Sequence, residues 1–373
     1  MTTVSASSYA SYYQTTSTYA ARQAGTASAS NGTGTTGKQG GDTIILSAAA
    51  KKALAEKDFA TVTADARTAL DDLLEAAGRT SPLDANGHVA IDLSKLDRRE
   101  LYAIASNSDD QFTKDEQAAA RDEMNDRFDA ALAGPLAVAR VTGDISALYK
   151  TASDYLDGAS AEEKQSDAWS KLHDAVAAAY RQTLSDPDNI PAVDGDPVAD
   201  YIARSNSGEA GAKRDFDAVA SDVRTALDKQ YADAASAGKE LVFDPGRKTG
   251  KLVDFSDFDS RSLSAIVLNQ GDRFSPVEVT AAQTEVRKRS SATLLAGLKS
   301  AGSDPTAFAT NIINAFGSMS AEERNAAGWS DAFYDTVLQN YQSAAKIAQM
   351  FGSASGDTSA ATSSGVMSLL NYL

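Results

Sequence analysis

The sequence predicts a mainly α protein, a tandem duplication of one helical domain with a small β-hairpin inserted between the helices of each copy. Three observations predict it. Alanine supplies about 70 of the 373 residues, and no residue has a higher helix propensity. Apolar side chains recur at three- and four-residue steps over long stretches. Blocks of sequence also return in the same order about 160 residues later. Asp58-Phe59 returns as Asp215-Phe216, and Asp65-Ala-Arg67-Thr-Ala-Leu70-Asp71 as Asp222-Val-Arg224-Thr-Ala-Leu227-Asp228, both spaced by 157. Asp97, Arg99, Leu101, Asn107, Phe112 and Glu116 reappear as Asp259, Arg261, Leu263, Asn269, Phe274 and Glu278, spaced by 162. Ser160-Ala-Glu-Glu163 with Trp169 matches Ser320-Ala-Glu-Glu323 with Trp329 at a spacing of 160. A period this long is a whole domain and not a solenoid unit.

Residues 1–40 are almost wholly Thr, Ser, Ala, Gly, Tyr and Gln, with Arg22 and Lys38 as their only charges. Such a segment buries too little apolar surface to offset its ordering entropy, so disorder is expected there. The first helical domain is placed at 41–185. In it, Ala60–Ala77 sets Val62, Ala66, Leu70, Leu73 and Leu74 on one face. Asp84-Ala-Asn86-Gly87 then marks a tight turn before the alternating run Val89–Leu93. Helices over Lys95–Ser106, Thr113–Leu132, Asp144–Leu156 and Ser160–Leu184 complete the unit. Their starts are signposted by capping boxes at Thr113/Glu116 and Ser160/Glu163, echoed at Ser275/Glu278 and Ser320/Glu323. The Pro- and Asp-rich stretch 186–196 reads as a linker, and the second domain as 197–350. There Leu241–Phe243 and Leu252–Phe255 flank Asp244-Pro-Gly-Arg-Lys-Thr-Gly250 as a longer hairpin. Residues 351–373 read as a flexible tail with a short apolar end, Val366–Leu373.

Charge and composition exclude several functions. The chain carries 35 basic and 51 acidic side chains, a formal charge of −16. Nucleic acid is excluded as a partner, because phosphate binding needs clustered Lys and Arg. The same acidity disfavours an anionic membrane surface. No apolar run is long enough to span a membrane, and no apolar core of a signal peptide is present. The chain has no cysteine, so it lacks disulfides, thiolate metal sites and Cys nucleophiles. His88 and His173 are its two histidines, too few for a zinc site built on His.

The candidate chemistry lies in the loops before Glu116 and Glu278. With Glu116 as the last, bidentate ligand of a calcium loop, Asn107, Asp109 and Thr113 fall at ligand positions; Asn269 and Asp272 accompany Glu278 in the second loop. Both loops lack the first carboxylate, since Ala105 and Val267 stand there. The same residues also read as an Asx turn leading into a capped helix. Gly32–Lys38 mimics a phosphate loop, but Gln39 replaces the magnesium-binding hydroxyl and no strand precedes it. Arg67 and Arg224 sit four residues before Asp71 and Asp228, the spacing of an intrahelical ion pair. Asp97 with Arg99, and Asp259 with Arg261, are expected to bridge helices. Trp169 and Trp329 are expected as core anchors.

The features kept in both copies are caps, aromatic anchors and ion pairs, not reactive groups. The expected function is therefore non-enzymatic: a structural or protein-interaction protein with a protein partner and no cofactor. It is read as bacterial and either cytoplasmic or exported without a cleaved signal peptide. The alternatives are a calcium-binding module using the degenerate EF-hand-like loops, and a hydrolase with an acidic pair in the interdomain cleft.

Overall fold

The computed structural model describes residues 57–352 apart from 86, 211–213, 302, 303 and 305. The segment 1–40 with its glycine-threonine stretch, the end 353–373 and Asn86 of the first turn lie outside the described residues. The described chain is mainly helical. Its N-terminal half contains α1 (Phe59–Ala76), α2 (Arg98–Ala105), α3 (Lys114–Thr142), α4 (Ser146–Asp157), α5 (Ala161–Lys164), α6 (Asp167–Thr183) and α7 (Pro197–Ser207). Its C-terminal half contains α8 (Phe216–Ser236), β1 (Leu241–Val242), β2 (Lys251–Leu252), α9 (Ser260–Val267), α10 (Pro276–Ala301), α11 (Ala307–Ser318), α12 (Ala321–Ala327) and α13 (Asp331–Gly352). No described helix is long and apolar enough to cross a membrane.

The caps sit where the sequence puts them. Thr113, Ser160 and Ser320 each accept the N–H three residues on, from Glu116, Glu163 and Glu323. This satisfies one of the backbone donors that every helix start leaves open. Two helices differ from expectation. α3 does not stop at Leu132 but runs through Pro135 to Thr142, where Gly143 ends it at φ +80°. Proline costs a helix one hydrogen bond. Packing outweighs that loss: Leu132, Leu136 and Ala139 are buried against Leu148, Tyr149 and Val176, while Ala137, Val138 and Val141 pack on the C-terminal core. The expected helix Ser160–Leu184 is two, because Ser166 turns out of the helix and caps α6 through the Trp169 N–H.

The expected hairpins are corrected in both halves. In the first, a single antiparallel bridge joins Leu83 to Val89. Pro82 has no N–H to extend a ladder, and Ile91, Leu93 and Leu96 leave the turn to enter the core. In the second, β1 and β2 pair in parallel, Leu241 with Lys251 and Val242 with Leu252. The intervening loop doubles back at Gly250, φ +111°. A Cβ there would lie 2.5 Å from Val242 Cγ1 and 2.9 Å from the Glu240 carbonyl, so only glycine lets the chain cross so tightly.

Four apolar clusters hold the described residues together. α1, α2 and the start of α3 bury Leu70, Leu101, Ile104 and Phe112; the rest of α3 with α4, α6 and α7 buries Leu132, Tyr149, Val198 and Tyr201. α8, α9 and α10 bury Leu227, Leu263, Ile266 and Phe274; α11 and α13 bury Ile312, Phe316, Phe333 and Val337. Tyr149 donates to Asp196 Oδ2 at 2.5 Å, inside the core. Asp196 also caps α7, so the connection after α6 is fixed at its end. The halves meet where α3 crosses α11. A Cβ on Gly134 would lie 2.1 Å from Asn314 Oδ1, and one on Gly317 would lie 2.3 Å from Ala137 Cβ. Glycine on both helices permits a backbone approach that no larger residue allows.

Candidate functional site

The two loops singled out by sequence share one geometry. Asn107 and Asn269 adopt left-handed backbone conformations, φ +55° and +48°. Asparagine tolerates that region because its short side chain bonds locally. Here each side-chain oxygen accepts the N–H five residues on, Phe112 at 2.9 Å and Phe274 at 2.8 Å. Thr113 and Ser275 then open α3 and α10, and their N–H groups donate to Glu116 and Glu278, each at 2.7 Å.

Both glutamates are buried and both face an arginine from the helix that begins their half. Arg67 grips Glu116 with two 2.9 Å bonds, and Arg224 reaches Glu278 at 2.9 Å. The expected pairs to Asp71 and Asp228 form as well, at 2.7 and 2.9 Å. Each guanidinium also lies over the loop phenylalanine, 5.2 Å from Phe112 and 5.7 Å from Phe274. Burial works to raise both carboxyls, but the N–H donors and the arginines outweigh it and hold them below the ordinary glutamate range. The carboxylates Asp109 and Asp272 sit in the exposed part of their loops, apart from the buried glutamates. Among the described residues, no three His, Asp or Glu side chains are grouped to hold a metal ion.

The expected Asp97–Arg99 and Asp259–Arg261 bridges are replaced by another arrangement. Asp97 and Asp259 cap α2 and α9. Arg99 pairs with Glu162 at 2.5 Å, and Arg261 with Glu322 at 3.5 Å. Trp329 is buried in the C-terminal core, whereas Trp169 is part-buried, stacks on His173 at 4.5 Å and donates to the Leu156 carbonyl. His88 is exposed.

Between the halves lies a cleft of about 780 Å³, whose lining residues the sequence did not reveal. The middle of α3 and the loop at Asp92 form one wall; the starts of α9 and α12, with Tyr334 of α13, form the other. Its charges are mostly matched. Arg127 pairs with Glu123 at 2.7 Å, Arg204 with Asp129 at 2.6 Å, and Arg214 reaches across the halves to Asp92 at 3.8 Å. Burial raises the Glu123 carboxyl, and Asp92 and Asp126 add to this against the pull of Arg127.

One wall residue departs from that matching. Glu163 and Glu323 hold equivalent places in their capping turns and are similarly buried, 6% and 7% exposed. Arg98 grips Glu163 with bonds of 2.7 and 2.9 Å. At the 162-residue spacing, Ser260 stands where Arg98 would be. Glu323 instead turns back to accept the Ser320 N–H at 2.6 Å. Burial, with a smaller contribution from Asp259, pushes its carboxyl up to about 7. The sequence held the signal for this, since Asp97-Arg98-Arg99 aligns with Asp259-Ser260-Arg261. No family model, curated protein or solved structure matches the chain.

Proposed function

We propose that this chain is a non-enzymatic protein-interaction protein, built from two copies of one helical domain, that receives a protein partner at the cleft between its halves. One observation carries the reading: two acidic residues that recur at the repeat spacing, Glu116 with Glu278 and Glu162 with Glu322, are paired in both halves with an arginine of another helix. Glu116 and Glu278, which would be the strongest calcium ligands, are gripped by Arg67 and Arg224. A guanidinium thus takes the place that a bivalent cation would need. The matched Asn107/Asn269, Phe112/Phe274 and Glu162/Glu322 contacts support the duplication.

A photo-crosslinking side chain at Ser94 or Met319, both on the cleft wall, tests the reading in native extract. Exposed Val277, outside the cleft, is the control. One discrete protein adduct from the cleft positions alone is expected. Equal adducts from Val277 would contradict it. A second reading, hydrolysis by an acid–base pair, is favoured by one observation, the raised carboxyl of Glu323 beside Asp259. Turnover in a hydrolase substrate panel, abolished by Glu323→Gln, would replace the first reading with this one.

A further inference from the structure

We infer that Arg140, Arg324 and Tyr334 form a binding site for an oxyanion, a carboxylate or phosphate group carried by a ligand that enters the cleft. The inference does not depend on whether that ligand is a protein or a small molecule. In a chain of charge −16, arginines readily find carboxylates. Three of the cleft arginines do so: Arg127 pairs with Glu123, Arg214 with Asp92 and Arg261 with Glu322. Arg140 and Arg324 face the same cleft with no carboxylate at ion-pair distance among the described residues.

Both are nevertheless held in place, by neutral groups. Arg140 donates through Nη2 to Ser205 Oγ at 3.0 Å and Asn206 Oδ1 at 2.8 Å. Arg324 donates through Nε to the Ser320 carbonyl at 3.3 Å and lies 4.6 Å over the Phe316 ring. Neutral acceptors and a ring face orient a guanidinium without cancelling its charge. The remaining N–H groups of both side chains make no hydrogen bond among the described residues.

Tyr334 lines the same cleft as the two guanidinium groups. Tyr334 stacks on Phe316 at 4.4 Å. Burial raises its hydroxyl, and Arg140 and Arg324 both act against that rise. Two cations held by neutral groups and a hydroxyl donor, from α3, α12 and α13, therefore line one cleft. Such a set matches an oxyanion, which accepts paired N–H bonds in fork geometry and an O–H bond besides. The elements come from both halves, so a bound anion would also tie the halves together.

The test is thermal unfolding of the full chain titrated with inorganic phosphate and, separately, acetate, with chloride at matched ionic strength as control. A saturable rise in midpoint with either anion is expected, and the anion that acts at lower concentration assigns the class. Arg140→Gln and Arg324→Gln should each weaken the apparent affinity about tenfold or more, the worth of one charge-assisted bond. Arg140 is exposed, so its replacement leaves the fold intact and keeps the test decisive if Arg324→Gln unfolds. A rise that is the same in both variants, or no saturable rise up to roughly 50 mM, would overturn the inference.

Discussion

Glu163 and Glu323 stand in corresponding capping turns of the two halves, at similar depth, and differ in whether an arginine grips them. Arg98 satisfies the first with a forked ion pair, and Ser260 offers nothing of the kind to the second. The contrast shows what a single arginine does at a buried acid. With it, charge is carried into the core and used to fasten α2 to α5. Without it, the carboxyl keeps only its backbone cap and rises to about 7, and it does so on the cleft wall. The first arrangement is structural glue. The second leaves a group beside the cleft that changes charge near neutral pH.

The largest expected effect comes from removing that arginine. Arg98→Met strands the Glu163 carboxylate and also loses the 2.6 Å bond to the Tyr155 carbonyl. A loss of about 3 kcal/mol is expected in urea unfolding, the cost of a buried charge left without its partner. Ser260→Ala, at the matching position, should change stability by less than about 0.5 kcal/mol. A like loss at both sites would break the comparison.

The next effect is a pH dependence carried by Glu323. Glu323 is neutral in both states at low pH. Between its unfolded value, near 4.5, and its folded value, near 7, the unfolded chain releases the proton first. Stability is therefore lost as pH rises through that window, by roughly 3 kcal/mol in all. Glu323→Gln should flatten this slope. The titration of Glu116 and Glu278 runs the other way: their folded values are lowered, so their contribution is present at neutral pH and lost on acidification.

A smaller and equal pair of losses sharpens the contrast, because here the halves agree. Glu116→Gln and Glu278→Gln should each cost about 2 kcal/mol through the weakened bond to Arg67 or Arg224. The same variants should leave the melting midpoint indifferent to calcium against chelator. The smallest effect belongs to Asp71→Ala and Asp228→Ala. Those partners are exposed, and an intrahelical pair of this spacing contributes a few tenths of a kcal/mol.

Local grammar was legible in the sequence and long-range contact was not. Thr113, Ser160 and Ser320 announce helix starts because a hydroxyl followed by Glu satisfies backbone donors within one turn. Asn107 reads as a loop residue for a similarly local reason. The helix expected to stop at Leu132 continues through Pro135, because Gly134 and Gly317, far apart in the sequence, let α3 approach α11 closely. The parallel turn of β1 on β2 depends on Gly250 folding back over Val242, which alternation alone does not reveal. The cleft is assembled from segments between Asp92 and Tyr334, so no spacing rule points to it. The partner of Glu116 was hidden for the same reason: Arg67 looked committed to Asp71, four residues away, and holds Glu116 as well.

The most direct test is a carbon-13 NMR titration of the side-chain carboxyls in full-length protein with labelled glutamate. Glu323→Gln identifies the signal, and Ser260→Arg supplies the missing partner. The account predicts a Glu323 midpoint near 7 in the natural chain that falls into the ordinary carboxylate range in Ser260→Arg. A midpoint already in that range in the natural chain, or one that Ser260→Arg leaves in place, would contradict it.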